Sequence, residues 1–174
     1  MKDSRMQLLA EKLVNYSCEL GKGERILIES RGAEIEFVNA LIQAVYKAGG
    51  IPFVKTTENR ILRDIIRGGN KEIFSEMAEH DAALMGRMNA YIGVRGGNNS
   101  YELSDVDSAL MQDYNKYYAH PVHHEIRVKK TKWVVLRYPT EGMSQLMGMS
   151  TEAFTDFYYK VCTLDYAKMG EDMT

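Results

Sequence analysis

The most constraining feature of this sequence is a strand, a helix and a second strand in immediate succession. Residues 25–30 form a run of β-branched and aliphatic side chains without alternation, which is typical of a strand buried on both faces. Helical spacing of apolar residues follows over 35–48 and ends at two glycines, and a second strand covers 51–56. Such a βαβ unit predicts two parallel strands in one sheet, joined by a right-handed crossover.

The rest of the chain continues this pattern. Helical periodicity predicts helices over 6–20, 60–67, 71–88 and 105–118 and a final helix from 150, while apolar runs predict strands at 90–95 and 131–138. The sequence contains no internal repeat and no linker rich in proline and serine. It therefore predicts one α/β domain, with a mainly parallel sheet of about four or five strands and helices on both faces.

Composition excludes several functional classes. The 174 residues carry 22 Lys and Arg against 24 Asp and Glu, a formal net charge of −2, which argues against a nucleic-acid partner. No apolar run reaches the roughly 18 residues of a membrane helix, so no membrane partner is expected. Two distant cysteines fit reduced thiols, and the expected location is the cytoplasm.

A loop after the third predicted strand is the candidate site. Arg95 is followed by two glycines and then by Asn98 and Asn99. Open α/β sheets bind ligands at the carboxyl ends of their strands, and this loop offers a fixed cation with amide donors for a small anion or a peptide carboxylate. The alternative is a turn whose asparagines form only local backbone hydrogen bonds.

Other motifs carry no chemistry that the sequence can identify. The glycine-rich loops that hold nucleotide phosphates are absent, and so is a recognisable set of catalytic residues. Three histidines and a glutamate lie within 120–125, but His123 and His124 are adjacent. Adjacent residues point in different directions on a helix or a strand, so we predict no metal site there.

Several segments together resemble one family, the thermophilic-type metalloaminopeptidases of peptidase family M29. The similar segments run in the family's order from near the beginning of the chain to near its end: 13–17 (LVNYS), 23–28 (GERILI), 91–95 (YIGVR), 124–128 (HEIRV), 131–139 (TKWVVLRYP), 149–154 (MSTEAF), 156–158 (DFY) and 161–169 (VCTLDYAKM). The ordered series, rather than any one segment, carries the resemblance.

The resemblance implies an enzyme that removes N-terminal residues from peptides with two divalent metal ions, of the zinc or cobalt type, which activate a bridging water. Family members are longer than this chain, and their metal ligands lie in a C-terminal half. Residues 1–160 would then be the N-terminal α/β domain, and 161–174 would be a helix end leading towards an absent C-terminal metal-binding domain.

No catalytic residue and no metal ligand can be transferred to this chain, so the chain alone is expected to hold no metal and to be inactive. The resemblance places the domain beside the catalytic one, where it helps to enclose the active-site cavity. The implied partners are a peptide substrate and the C-terminal catalytic domain, and a homodimer with a second copy stays open.

Two other functions remain open from the sequence. The chain could be an autonomous α/β domain that binds a small ligand or a partner protein. It could also self-associate through a face that a second domain would otherwise cover.

Overall fold

The computed structural model describes residues 3–164, which fold around a four-stranded sheet. Its strands are β1 (Arg25–Arg31), β2 (Ile51–Thr57), β3 (Ala90–Arg95) and β4 (Lys132–Arg137). They lie in the order β2-β1-β3-β4, and every neighbouring pair is parallel. The predicted α/β class and the parallel sheet are confirmed.

Helices connect these strands, and several of them begin at a side-chain cap. They are α1 (Ser4–Lys12), α2 (Ile35–Lys47), α3 (Asn59–Gly68), α4 (Lys71–Met85), α5 (Ser108–Tyr114), α6 (Val128–Lys130), α7 (Glu141–Leu146) and α8 (Thr151–Cys162). The Asn70 side chain accepts a hydrogen bond from the Ile73 amide, and Ser150 does the same for Ala153. Within residues 3–164, no helix is long and apolar enough to cross a membrane.

One face of the sheet packs against α1, α2 and α8 and is called the apolar face. Ile26 and Ile28 of β1 and Ile92 and Val94 of β3 lie there with no exposed surface. Phe37 of α2 is also fully buried in this layer. Burial of aliphatic and aromatic side chains from both sides makes this layer the main hydrophobic core.

The opposite face packs against α3, α4, α5 and the segment that follows α5, and it is called the charged face. Leu27 and Tyr91 form its apolar base. Because side chains alternate along a strand, Glu29, Arg31 and Arg95 also point to this side. The prediction of helices on both faces is confirmed.

Two helical regions differ from their predicted form. The helix predicted over 6–20 is α1 followed by a π-helix, Leu13–Ser17. The helix predicted over 105–118 is shorter at its start and continues as a long π-helix, Asn115–Arg127, which includes Pro121. The predicted helix ended at residue 118, before this proline. A proline within an α-helix clashes with the carbonyl four residues earlier, which a regular α-helix does not tolerate.

Helix α7 was not predicted. It has six residues, which is too short to display a helical period in the sequence.

Candidate functional site

Two loops meet at the carboxyl edge of the sheet. The chain leaves β1 in one direction and β3 in the other, so the crevice between these strands is the switch point where such folds bind ligands. Gly32 (φ +63°) and Gly97 (φ +98°) lie in the two loops, and a Cβ on Gly32 would lie 3.2 Å from the Gly97 nitrogen. A Cβ on Gly96 would lie only 2.4 Å from the Gly32 oxygen. The close backbone contact divides the edge into two cavities.

The first cavity has a volume of about 230 Å³ and contains three arginines, so we call it the basic pocket. Arg31, Arg95 and Arg137 are the last residues of β1, β3 and β4. The parallel register pairs Arg31 with Arg95 and Arg95 with Arg137. Because neighbouring strands lie about 4.8 Å apart, the three side chains form a line across the sheet, the arginine row.

A buried carboxylate fixes two members of this row. Glu29 is 4% exposed, and its Oε1 lies 3.1 Å from Nη2 of Arg31 and 3.1 Å from Nη2 of Arg95. Arg95 also donates to the Glu29 carbonyl at 3.1 Å and to the Tyr91 hydroxyl at 2.8 Å. The guanidinium groups are therefore held in place before any ligand arrives.

The pKa of Glu29 reports the charge balance at this point. Burial opposes ionisation of the carboxyl, but the positive charges of Arg31 and Arg95 outweigh it and place the pKa below the usual value. The pKa of Arg31 is raised, because Glu29 more than offsets the burial of the guanidinium. Glu29 is therefore ionised at neutral pH and neutralises one of the three arginine charges.

The third arginine of the row is not held by Glu29. Arg137 is exposed and forms no ion pair with any residue between 3 and 164. Glu102, an acidic residue of the same pocket, is bound by Arg63 at 2.8 Å. The three arginines share the single carboxylate of Glu29, so the arginine row keeps a net charge of about +2.

The second cavity, of about 580 Å³, is the acidic pocket. Asp3, Glu34, Glu58 and Glu141 line it. Tyr138 also lies there, and its hydroxyl donates to Glu34 at 3.3 Å.

The acidic pocket does not form a metal site among the described residues. In the part of the chain that the structure describes, no three His, Cys, Asp or Glu side chains are placed to share a metal ion. The residues present therefore do not fit the metal centre that the family resemblance implies.

The sequence-predicted loop residues fall on both sides of the glycine contact. Arg95 and Asn99 lie in the basic pocket, whereas Asn98 lines the acidic one. The Asn99 oxygen accepts from the Tyr101 amide at 3.0 Å and its amide donates to Glu102 at 3.1 Å, so this side chain is engaged locally.

Sequence reasoning missed Arg31 and Arg137. Both end a strand, as Arg95 does, and this shared position was the available signal. The predicted first strand stopped at residue 30, one residue before Arg31.

The adjacent His123 and His124 point in different directions, as their spacing predicted, whereas His120 and His124 stack at a ring-centroid distance of 5.5 Å. His123 is buried between the rings of Tyr91 and Tyr118, at centroid distances of 6.1 and 6.2 Å. His124 is exposed. Burial lowers the pKa of His123 to about 4, and its Nε2 atom has no hydrogen-bond partner.

Comparison with known proteins identifies the family of this fold. Residues 2–171 match the model of the family described as thermophilic metalloprotease (M29). No curated protein sequence matches the chain.

Among solved structures, wild-type AmpT from Thermus thermophilus superimposes with a TM-score of 0.69 at 16% identity, over 92% of this chain and 43% of that one. The chain thus spans less than half of the length of AmpT.

Two further structures match only weakly. A putative transcription regulation repressor of the LacI family from Corynebacterium glutamicum has a TM-score of 0.32 at 12% identity, over 76% of this chain and 60% of that one. The CurK enoyl reductase has a TM-score of 0.35 at 15% identity, over 89% of this chain and 49% of that one. Since the family model covers nearly every residue and AmpT shares the fold, the chain belongs to the thermophilic metalloprotease family M29.

Proposed function

We propose that this chain is the N-terminal α/β domain of a divalent-metal-dependent aminopeptidase that removes N-terminal residues from peptides. The observation that carries the proposal is the match of residues 2–171 to the M29 family. In this proposal, residues 1–160 form the domain, and 161–174 lead towards a C-terminal catalytic domain that supplies the metal ligands. Of this last segment, 165–174 lie outside the residues that the structure describes.

The extent of the AmpT match supports this division. A chain that aligns over 92% of its own length reaches only 43% of AmpT. The remaining length is enough for a second domain of ordinary size. The metal set that residues 3–164 lack would then lie in that domain.

An uncovered part of the sheet gives independent support. Purely parallel sheets normally have both faces covered, because their strands are apolar on each side. Trp133 and Val135 of the outer strand β4 point to the charged face, and they are 42% and 40% exposed. We propose that the catalytic domain covers this side of β4.

The carboxyl edge of the sheet would then form one wall of the substrate cavity. Arg95, Asn98 and Asn99 lie in or beside the two pockets at this edge. A wall of this kind would exclude large substrates and limit access of water to the reaction. Cys18 and Cys162 are free thiols, as expected in a reducing compartment, and we propose a cytoplasmic location.

Activity measurements test the proposal directly. The 174-residue chain and the longer protein encoded by the same reading frame are each incubated with Co²⁺ or Zn²⁺ and leucine p-nitroanilide. We expect turnover from the longer protein and none from the chain above a metal-only blank. Turnover by the chain, a reading frame that ends at codon 174, or an inactive longer protein would each contradict the proposal.

A further inference from the structure

We propose that the arginine row, Arg31, Arg95 and Arg137, binds the free C-terminal carboxylate of a short peptide. The choice of a peptide rests on the proposed function, since a peptidase of the M29 family acts on peptides. The site itself rests on the geometry of the basic pocket.

Charge favours an anion in this pocket. Glu29 neutralises one guanidinium of the row, and Arg63 neutralises Glu102, which leaves two positive charges facing the cavity. Like charges at the ends of neighbouring strands repel each other. A carboxylate placed between them would relieve this repulsion and form charge-assisted hydrogen bonds.

The pocket is also organised in advance. The Arg95 guanidinium has three fixed interactions, with the Glu29 carboxylate, the Glu29 carbonyl and the Tyr91 hydroxyl. Arg137 is exposed and has no acidic partner among the described residues, so its planar guanidinium can bind both oxygens of a carboxylate. A ligand would need to order only the Arg137 side chain, and this reduces the entropic cost of binding.

The size of the pocket selects a small group. Its volume of about 230 Å³ is below the range of roughly 300–1,000 Å³ that is usual for whole small-molecule ligands. A terminal carboxylate with its side chain fits such a volume, while the rest of the peptide extends away from the sheet edge. The pocket would therefore favour peptides with a free carboxylate over amidated peptides of the same length.

Peptide binding to this chain tests the inference without any hydrolysis. Trialanine, trialanine amide and inorganic phosphate are titrated into the ¹⁵N-labelled protein, and the Gly96 and Gly97 amide signals are followed. We expect trialanine to shift these signals and trialanine amide to bind at least about tenfold more weakly, since a charge-assisted contact is lost.

Two variants locate the site. Arg137→Gln should weaken trialanine binding by about tenfold, because it removes the free guanidinium. Arg87→Gln removes the same charge from an exposed position before β3, at the opposite edge of the sheet, and should leave binding unchanged. The spectra of both variants also report whether the fold is retained.

Each remaining outcome overturns the inference. Equal binding of the acid and the amide, no binding of either, or equal losses in both variants would remove the carboxylate assignment. Phosphate that binds more tightly than trialanine and displaces it would identify a site for a free anion instead. These results are independent of the proposed aminopeptidase activity, whose own failure would appear in the activity and reading-frame tests above and not in peptide binding.

Discussion

The two faces of the sheet use the same strands for different purposes. On the apolar face, Ile26, Ile28, Ile92 and Val94 pack against three helices. On the charged face, the intervening residues of β1 include Glu29 and Arg31, beneath helices that also bury a histidine. Alternation along one strand therefore places the hydrophobic core on one side and fixed charges on the other.

This difference shows how stability and binding can be separated within a small domain. Apolar burial stabilises a fold roughly in proportion to area, whereas a buried ion pair costs desolvation that its attraction only partly offsets. We therefore expect the apolar face to carry most of the stability and the charged face to respond to charge and pH. Four changes test this comparison, from the largest expected effect to the smallest.

The largest effect should come from the apolar face. Phe37→Ala removes a fully buried ring that stacks on Tyr138 at a centroid distance of 4.8 Å. We expect the free energy of unfolding to fall by about 4 kcal/mol, from lost burial and the cavity left behind. Urea denaturation measures it, and Phe157→Ala, at a side chain that is 50% exposed, is the control. A similar loss in both variants would contradict the assignment of the core.

Glu29→Gln is the corresponding test on the charged face. Removing the carboxylate leaves Arg31 and Arg95 without their shared partner, and we expect a loss of about 3 kcal/mol in the free energy of unfolding. Glu76→Gln, on the exposed side of α4, should change little. If Glu29→Gln were instead stabilising, the ion pair would serve only to position the arginines.

Acid should destabilise the charged face through His123. Its pKa is about 4 in the folded protein and near 6.5 in the unfolded chain, so the unfolded state binds more protons between these values. The contribution of His123 to stability is fully present above about pH 6.5. We expect the free energy of unfolding to fall by about 2 kcal/mol between pH 7 and pH 5.

Denaturation curves at several pH values measure the loss. His123→Asn should flatten the pH dependence in this window, while His80→Gln, at an exposed histidine of α4, should not. If the unchanged protein and both variants showed the same dependence of stability on pH, His123 would be excluded as its source. Glu29, whose pKa is lowered, would contribute only at more acidic pH, as it becomes protonated.

Arg137→Gln should have the smallest effect on stability. Its side chain is exposed and has no ion pair within residues 3–164, so we expect a change within about 0.5 kcal/mol in the free energy of unfolding. Thermal or urea unfolding measures it beside the peptide-binding test above. A change above about 1 kcal/mol would mean that this arginine holds the fold together rather than facing a ligand.

Much of the fold was predictable because its signals are local. The unbroken apolar run of β1 predicted a central strand, and the βαβ pattern predicted parallel neighbours, which the sheet order confirms. The π-helix through Pro121 was not predictable, because tertiary packing holds a geometry that the local sequence disfavours. Helix α7 was missed because six residues carry too little periodic signal.

The candidate site was only half accessible from the sequence. Arg95, with a loop rich in glycine and asparagine behind it, carried a local signal of a strand end. Arg31 and Arg137 lie 64 residues before and 42 residues after it in the chain, and only the strand register brings all three into one line.

The sequence by itself determined the fold class and the family, because hydrophobic periodicity and an ordered series of short segments are properties of the chain alone. The tertiary structure decided which charges meet, which of them Glu29 neutralises and which remain free. Electrostatic interactions depend on distance and burial in three dimensions, and residues far apart in a sequence acquire both only when the sheet forms.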